Sequence, residues 1–425
     1  LLGLGSLIGS GWLFGAWEAS SIAGPAAIIS WIIGFIVIGT IAYNYIEIGT
    51  MFPQSGGMSN YAQYTHGSLL GFIAAWANWV SLVTIIPIEA VSAVQYMSSW
   101  PWEWAKPMGA LMKDGSISTI GLFAVYVIIA IFSLLNYWSV KLLTSFTSLI
   151  SVFKLGVPLL TIIMLMISGF DTNNYGHSAS AFMPYGSAPI FAATTTSGII
   201  FSFNAFQTII NMGSEIKNPE KNIARGIAIS LTLSAILYIV LQSTFITSMP
   251  SSMIHEHGWN GINFNSPFAD MAILLGINWL AILLYVEAVV SPFGTGVSFV
   301  AVTGRVLRAM EKNGHIPKFL GKMNEQYNIP RVAIVFNAII SMIMVTLFRD
   351  WGTLAAVIST ATLVAYLTGP TTVISLRKMA PKMTRPFKAN ILKFMAPLSF
   401  VLASLAIYWA MWPTTAEVIF IIILG

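Results

Sequence analysis

The sequence predicts an all-α membrane protein, and three observations carry that expectation. Of the 425 residues, 56% are hydrophobic and only 8% charged, and the mean hydropathy is +0.79. A water-soluble domain of this length needs a far more charged surface. Apolar runs of about twenty residues, the length that crosses a bilayer as a helix, recur from one end to the other. These runs are continuous rather than alternating every second residue, which argues against a transmembrane barrel.

Taken in order, the apolar runs place helices at about 1–22, 25–51, 70–99, 118–138, 143–169, 190–214, 223–249, 278–311, 331–348, 352–376 and 390–411. A twelfth, incomplete helix starts after Pro413, and a shorter helix near 266–275 is expected at the surface before the eighth span. The chain therefore reads as a single transmembrane domain over 1–425 with about twelve spans. It opens on Leu1 and closes on Gly425 inside an apolar run, so both ends read as trimmed. The first segment lacks a basic stretch and a processing site and is not read as a signal peptide.

Charge sets the orientation. With the amino end inside, sixteen of the twenty Lys and Arg residues fall in cytoplasmic segments, and Lys106, Lys113 and Arg349 fall outside. That asymmetry predicts a cytoplasmic N-terminus. The net charge of +5 is no footprint for nucleic acid, because in a membrane chain the distribution carries the information. The absence of cysteine excludes disulfides, thiol catalysis and cysteine metal sites. His66, His177, His255, His257 and His315 are expected in loops, no metal constellation forms, and no Gly-rich phosphate loop supports ATP-driven pumping. No cofactor is called for, and no nucleophile–base set for an enzyme can be assembled.

The first five helices and the next five (about 1–170 and 190–376) enter the membrane from opposite sides, as an inverted repeat requires, with extra helices over about 390–425. The correspondence between the halves lies in two interruptions. The first helix is broken by "GSG" at 9–11, and the sixth carries "FSFNAFQT" at 201–208 followed by "NMGSE". Paired breaks in matching helices point to a substrate site at mid-membrane, where broken backbone survives only if it lines a cavity.

Gly9, Ser10 and Gly11 leave helical geometry cheaply, and their N–H groups at the start of a half-helix suit a carboxylate. Close packing competes as an explanation, since Gly5 and Gly9, and Gly11 and Gly15, are small-xxx-small pairs. In the sixth helix Asn204 and Gln207 lie on one face. Phe201 stands one turn before Asn204, where it could cover a ligand; bonding to neighbouring helices is the simpler role for the amides. Lys154, in "SVFKLGVPLL", is the one cation deep in a predicted span, too deep to snorkel comfortably. It could exchange a proton or stand as a fixed charge in place of a sodium ion. Four carboxylates also fall in spans. Glu18 and Glu47, near helix ends, suit caps or gates; Glu89 and Glu287, deeper, suit proton relays, counter-charges or structural pairs.

These segments, together with "YIEIGTMFPQSGGMSNY" (45–61), "EIKNPEKNIARGI" (215–227) and "GRVLRAMEKNGHIPKFLGKMN" (304–324), resemble the amino acid–polyamine–organocation superfamily of permeases over essentially the whole chain. "SLLNYWSVK" (133–141) and "STFITSMP" (243–250) look closest to a bacterial branch of aspartate–proton symporters. The resemblance implies the LeuT-like five-plus-five inverted repeat, with helices 1 and 6 discontinuous. It places a substrate carboxylate at Ser10 and Gly11 with Leu7 alongside, and the amino group at carbonyls around Phe201 and Asn204; Ala205 and Gln207 complete the candidate substrate positions of helix 6. It makes Phe201 a gate, with Phe299 a second aromatic position. It matches Lys154 to a helix 5 lysine implicated in proton coupling. Where some relatives carry a glutamate in helix 6, this chain has Gln207, which removes a titratable group. The expected function is proton-coupled symport of an amino acid, aspartate or another small one, across the cell membrane. A proton-independent antiporter of the same fold is the alternative.

Overall fold

The computed structural model describes residues 8–138, 141–324 and 329–425, and they are predominantly helical. Among the described residues, Ile8 to Ser10 are non-helical and the first helix begins at Gly11 (α1, Gly11–Ala23). A turn through Gly24 and Pro25 leads into α2 (Ala27–Met51), then α3 (Gln63–Met97), α4 (Thr119–Trp138) and α5 (Lys141–Gly169). The sixth predicted span is three pieces, α6 (Ala188–Thr196), α7 (Ile199–Ser202) and α8 (Ala205–Asn211). Then come α9 (Pro219–Ser248), α10 (Ser251–Gly261), α11 (Pro267–Leu274), α12 (Asn278–Lys312), α13 (Arg331–Leu347), α14 (Trp351–Tyr366), α15 (Thr368–Met379), α16 (Leu392–Trp409) and α17 (Thr414–Ile423).

Among the described residues, seven helical stretches are long and apolar enough to cross a membrane, the first of them running through α1 and α2 together. Many helices contain proline, as membrane helices can when neighbours satisfy the freed carbonyls. Pro87 in α3 illustrates this: the Val83 carbonyl, four residues earlier, accepts the Ser341 hydroxyl of α13 at 3.2 Å. The core is continuous across the bundle, with α3 packed along both α12 and α14.

Bonds between loops sort the segments into sets. The Asp114–Gly115 turn, both residues at positive φ, closes a hairpin of β1 (Met112–Lys113) and β2 (Ser116–Ile117), whose Ile117 N–H donates to the Arg349 carbonyl at 2.9 Å. The three external cations assigned from the sequence are thus on or beside connected segments. In the basic segments Glu47, fully buried, is gripped by Arg377 at 2.5 Å and by the Ala389 N–H at 2.7 Å, with Arg385 at 3.4 Å.

Three expectations need correction. The helix near 266–275 is not superficial: Phe268, Ala269, Met271 and Ala272 of α11 are fully buried, with the Phe268 ring 5.7 Å from Trp12 and 5.8 Å from Phe245. His255 and His257 lie on α10 and His66 on α3, in helix rather than loop. Glu47 is an internal ion-pair partner and caps no helix end at an interface.

Candidate functional site

The non-helical residues that lead into α1 meet the interruption at 197–204. Gly11 starts α1 directly against α7: a Cβ there would strike the Ser202 hydroxyl. Gly15, one turn on, faces Trp31 and the Ser197 carbonyl. In the second break Gly198 takes φ +82°, which favours glycine, and its open side is filled by the Trp351 ring. Trp351 ties both breaks together. Its indole N–H donates to the Ser10 hydroxyl at 2.9 Å, its ring stacks on Phe14 at 5.0 Å, and Phe201 meets it edge-on at 6.1 Å. Asp350 holds this tryptophan at the head of α14 by capping it, accepting the Thr353 N–H at 2.7 Å. No sequence signal pointed to Trp351.

The freed backbone at 8–10 does not stand idle. The Ser10 N–H donates to both oxygens of Glu89, at 3.1 and 2.9 Å. The carboxylate lies where a Cβ on Gly9 would sit, so glycine is required for the approach. Ser291 of α12 donates its hydroxyl to the Ile8 carbonyl at 3.0 Å. One turn further, Thr295 puts its methyl against Gly9 and its hydroxyl 2.6 Å from the Lys154 ammonium. Lys154 is 2% exposed and lies within electrostatic reach of both Glu89 and Glu287. Its stem passes Gly294, whose missing side chain leaves the room. Glu287 is fully buried, and neither carboxylate oxygen has a hydrogen-bond partner among the described residues. A cation and two carboxylates, from three helices, thus surround the unwound entry to α1.

The other predicted residues divide. Asn204 and Gln207 bond to neighbouring helices: Tyr366 donates to both, at 3.1 and 3.0 Å, Asn204 donates to Thr362 at 3.0 Å, and Gln207 donates to Asn78 in a short bond. The oxygen and the nitrogen of both amides thus have a protein partner. Phe201 is 7% exposed at the break, whereas Phe299 is buried on α12 with no ring contact to Phe201 among the described residues. Ala205 heads α8, and Leu7 lies outside the described residues. Thr295, Ser291, Ser202 and Tyr366 were missed; only the small-residue run "SPFGTG" on α12 hinted at a close approach. No group of three or more His, Asp or Glu side chains that could hold a metal occurs among the described residues.

The chain matches the model of the family described as amino acid permease over residues 1–423. It belongs to that family. It is 52% identical, over all 425 residues and 78% of the relative's length, to the glutamate/serine transporter AimA of Bacillus subtilis (strain 168). To the aspartate-proton symporter of the same strain it is 34% identical, over 98% of this chain and 79% of that one. A methylthioribose transporter of that strain is 26% identical over 91% of this chain, so family membership spans different cargo. These relatives are transporters and permeases, not enzymes, and the permease described here is a multi-pass membrane protein of the same family.

Proposed function

We propose that this permease is a proton-coupled symporter of a small polar or acidic amino acid, working by alternating access across the cell membrane with its N-terminus in the cytoplasm. One observation carries the reading: the Ser10 N–H, at the head of α1, already holds a carboxylate, that of Glu89, beside Lys154 and Thr295. A backbone donor at a half-helix N-terminus favours negative charge. A substrate carboxylate arriving there meets Glu89 in possession. A proton on Glu89 weakens its hold on the N–H and lets the substrate take its place, so substrate entry and proton entry favour each other. Lys154 then responds to the changed charge around it through Thr295, and the two protonation states bias the outward- and inward-facing forms differently, as coupling demands. Glu287 supplies the second carboxylate of the relay.

The substrate class rests on the relatives, whose names specify glutamate, serine and aspartate. The five-plus-five repeat and about twelve spans remain part of this reading. They are supported by the paired breaks at 9–11 and 197–204 and by the family. The alternative, a proton-independent antiporter of the same fold, keeps the cradle and dispenses with the relay.

Uptake of labelled glutamate, aspartate and serine into proteoliposomes, with an imposed pH gradient and with or without a proton ionophore, decides between them. The symporter accumulates one of these only with the gradient, and Lys154→Ala abolishes accumulation while Lys154→Ala protein still exchanges labelled for unlabelled substrate. If Lys154→Ala still accumulates substrate in response to the gradient, the coupling role is wrong. Counterflow indifferent to the gradient in the unaltered protein selects the antiporter.

A further inference from the structure

The segment "GRVLRAMEKNGHIPKFLGKMN" is used neither by the breaks nor by the charges around them, yet it borders a cavity of its own. This cavity has a volume of about 400 Å³ and lies among the ends of α4, α12 and α13. Its walls are apolar, including Val300, Ala301, Ala309, Ile329, Pro330 and Ile334. Among the described residues its charged lining is Arg305, Arg308, Lys312 and Glu215. Positions 305, 308 and 312 are one face of α12, three and four residues apart.

Among the described residues, the cations of this lining outnumber its one carboxylate. Glu215 is committed to Arg305, 2.8 Å away. Arg308 and Lys312 have no hydrogen bond or ion pair among the described residues. Pro330 and Ile334 bring the first turn of α13 to the cavity edge, and α13, at seventeen residues, adds the positive end of its dipole. The space exceeds that of a single ion, since a water occupies roughly 30 Å³. In the same sequence segment Phe319 is 61% exposed between the exposed Lys318 and Lys322, a pattern suited to the interface of a negatively charged leaflet.

We propose that this cavity binds the phosphate headgroup of an anionic phospholipid, with Arg308 and Lys312 on the phosphate and the apolar walls on the glycerol and first acyl carbons. A phosphate anion is the chemistry the charges call for. The apolar lining assigns it to a lipid in preference to a soluble phosphate. The site is separate from the Glu89–Lys154 cluster and does not depend on what the permease carries.

The test uses the whole protein in mixed micelles of equal dioleoyl phosphatidylglycerol and dioleoyl phosphatidylcholine, with retained lipid counted by native mass spectrometry. The unaltered protein is expected to prefer phosphatidylglycerol. R308Q/K312Q is expected to lower that preference by roughly ten- to thirty-fold, at about 1 kcal/mol per basic residue, while K382Q, a charge removed elsewhere, leaves it unchanged. Ala301→Phe keeps every charge and fills the space, so it should lose the same lipid; it covers the case in which the double variant fails to fold. An unchanged preference in R308Q/K312Q or in Ala301→Phe overturns the proposal. Displacement of phosphatidylglycerol by millimolar inorganic phosphate overturns the lipid assignment in favour of a soluble anion. Displacement by glutamate, aspartate or serine makes the cavity part of the transport path, and overturns it equally.

Discussion

At the scale of single residues, two missing side chains hold the site together. Gly9 yields its Cβ position to the Glu89 carboxylate, and Gly11 yields its own to the Ser202 hydroxyl. A methyl at either place must displace buried neighbours, an overpacking cost of about 1–3 kcal/mol. Gly11→Ala is therefore expected to cut uptake at least tenfold and to lower the melting temperature. Gly39→Ala, on a face where nothing lies within 4 Å, should leave both unchanged. The contact names its own remedy: Gly11→Ala with Ser202→Ala removes the obstructing oxygen and should restore most of the uptake. If the pair is as impaired as Gly11→Ala alone, the close approach of the two breaks is not what glycine secures.

Elements gain their places by specific bonds between them. Trp351 holds α14 on both breaks, Tyr366 at its other end holds Asn204 and Gln207, and Arg377 of α15 holds Glu47 of α2. The buried helix α11 has a testable charge. Asp270 accepts the Ser266 N–H at 2.9 Å, and burial raises its carboxyl from 3.8 to about 6 against the opposing effect of the Ser266 and Asn265 backbone bonds. A carboxyl whose folded value lies above its unfolded one favours the fold most when protonated. Its contribution is full below about pH 4, declines as the pH rises towards 6, and stays at its low level above that. Hydrogen exchange over 267–274, corrected for the intrinsic rate, should thus show protection falling between those values. Asp270→Asn should flatten the profile; a slope that survives the substitution assigns it to another group.

For the whole molecule, the sequence itself supplies a convenient test of orientation, since it contains no cysteine. Lys113, on the β1–β2 hairpin, and Lys382, beyond α15, are both exposed. With the basic segments inside, Lys113→Cys should react with an impermeant maleimide on intact cells, and Lys382→Cys only after permeabilisation. The reverse pattern would invert the molecule and with it the direction of the proposed proton coupling.

The sequence by itself determined the helical membrane class, most helix positions and the charge asymmetry. Each is written locally, in apolar runs of spanning length and in where Lys and Arg fall between them. It also singled out 9–11, Lys154, Glu89 and Glu287, because glycine clusters and charges are anomalous inside apolar runs. Tertiary structure alone decided how these meet. That Ser10 faces Glu89, that Thr295 lies between Gly9 and Lys154, and that Trp351 joins both breaks are contacts between residues tens to hundreds of positions apart. No local pattern encodes such pairs. Asn204 and Gln207 show the same limit from the other side: a polar amide in a span reads alike whether it awaits a ligand or a neighbour, and here Tyr366, Thr362 and Asn78 take them. The hairpin's Asp-Gly turn and the buried face of α11 went unread because both lie in short segments, where apolar runs carry little weight and tertiary packing decides.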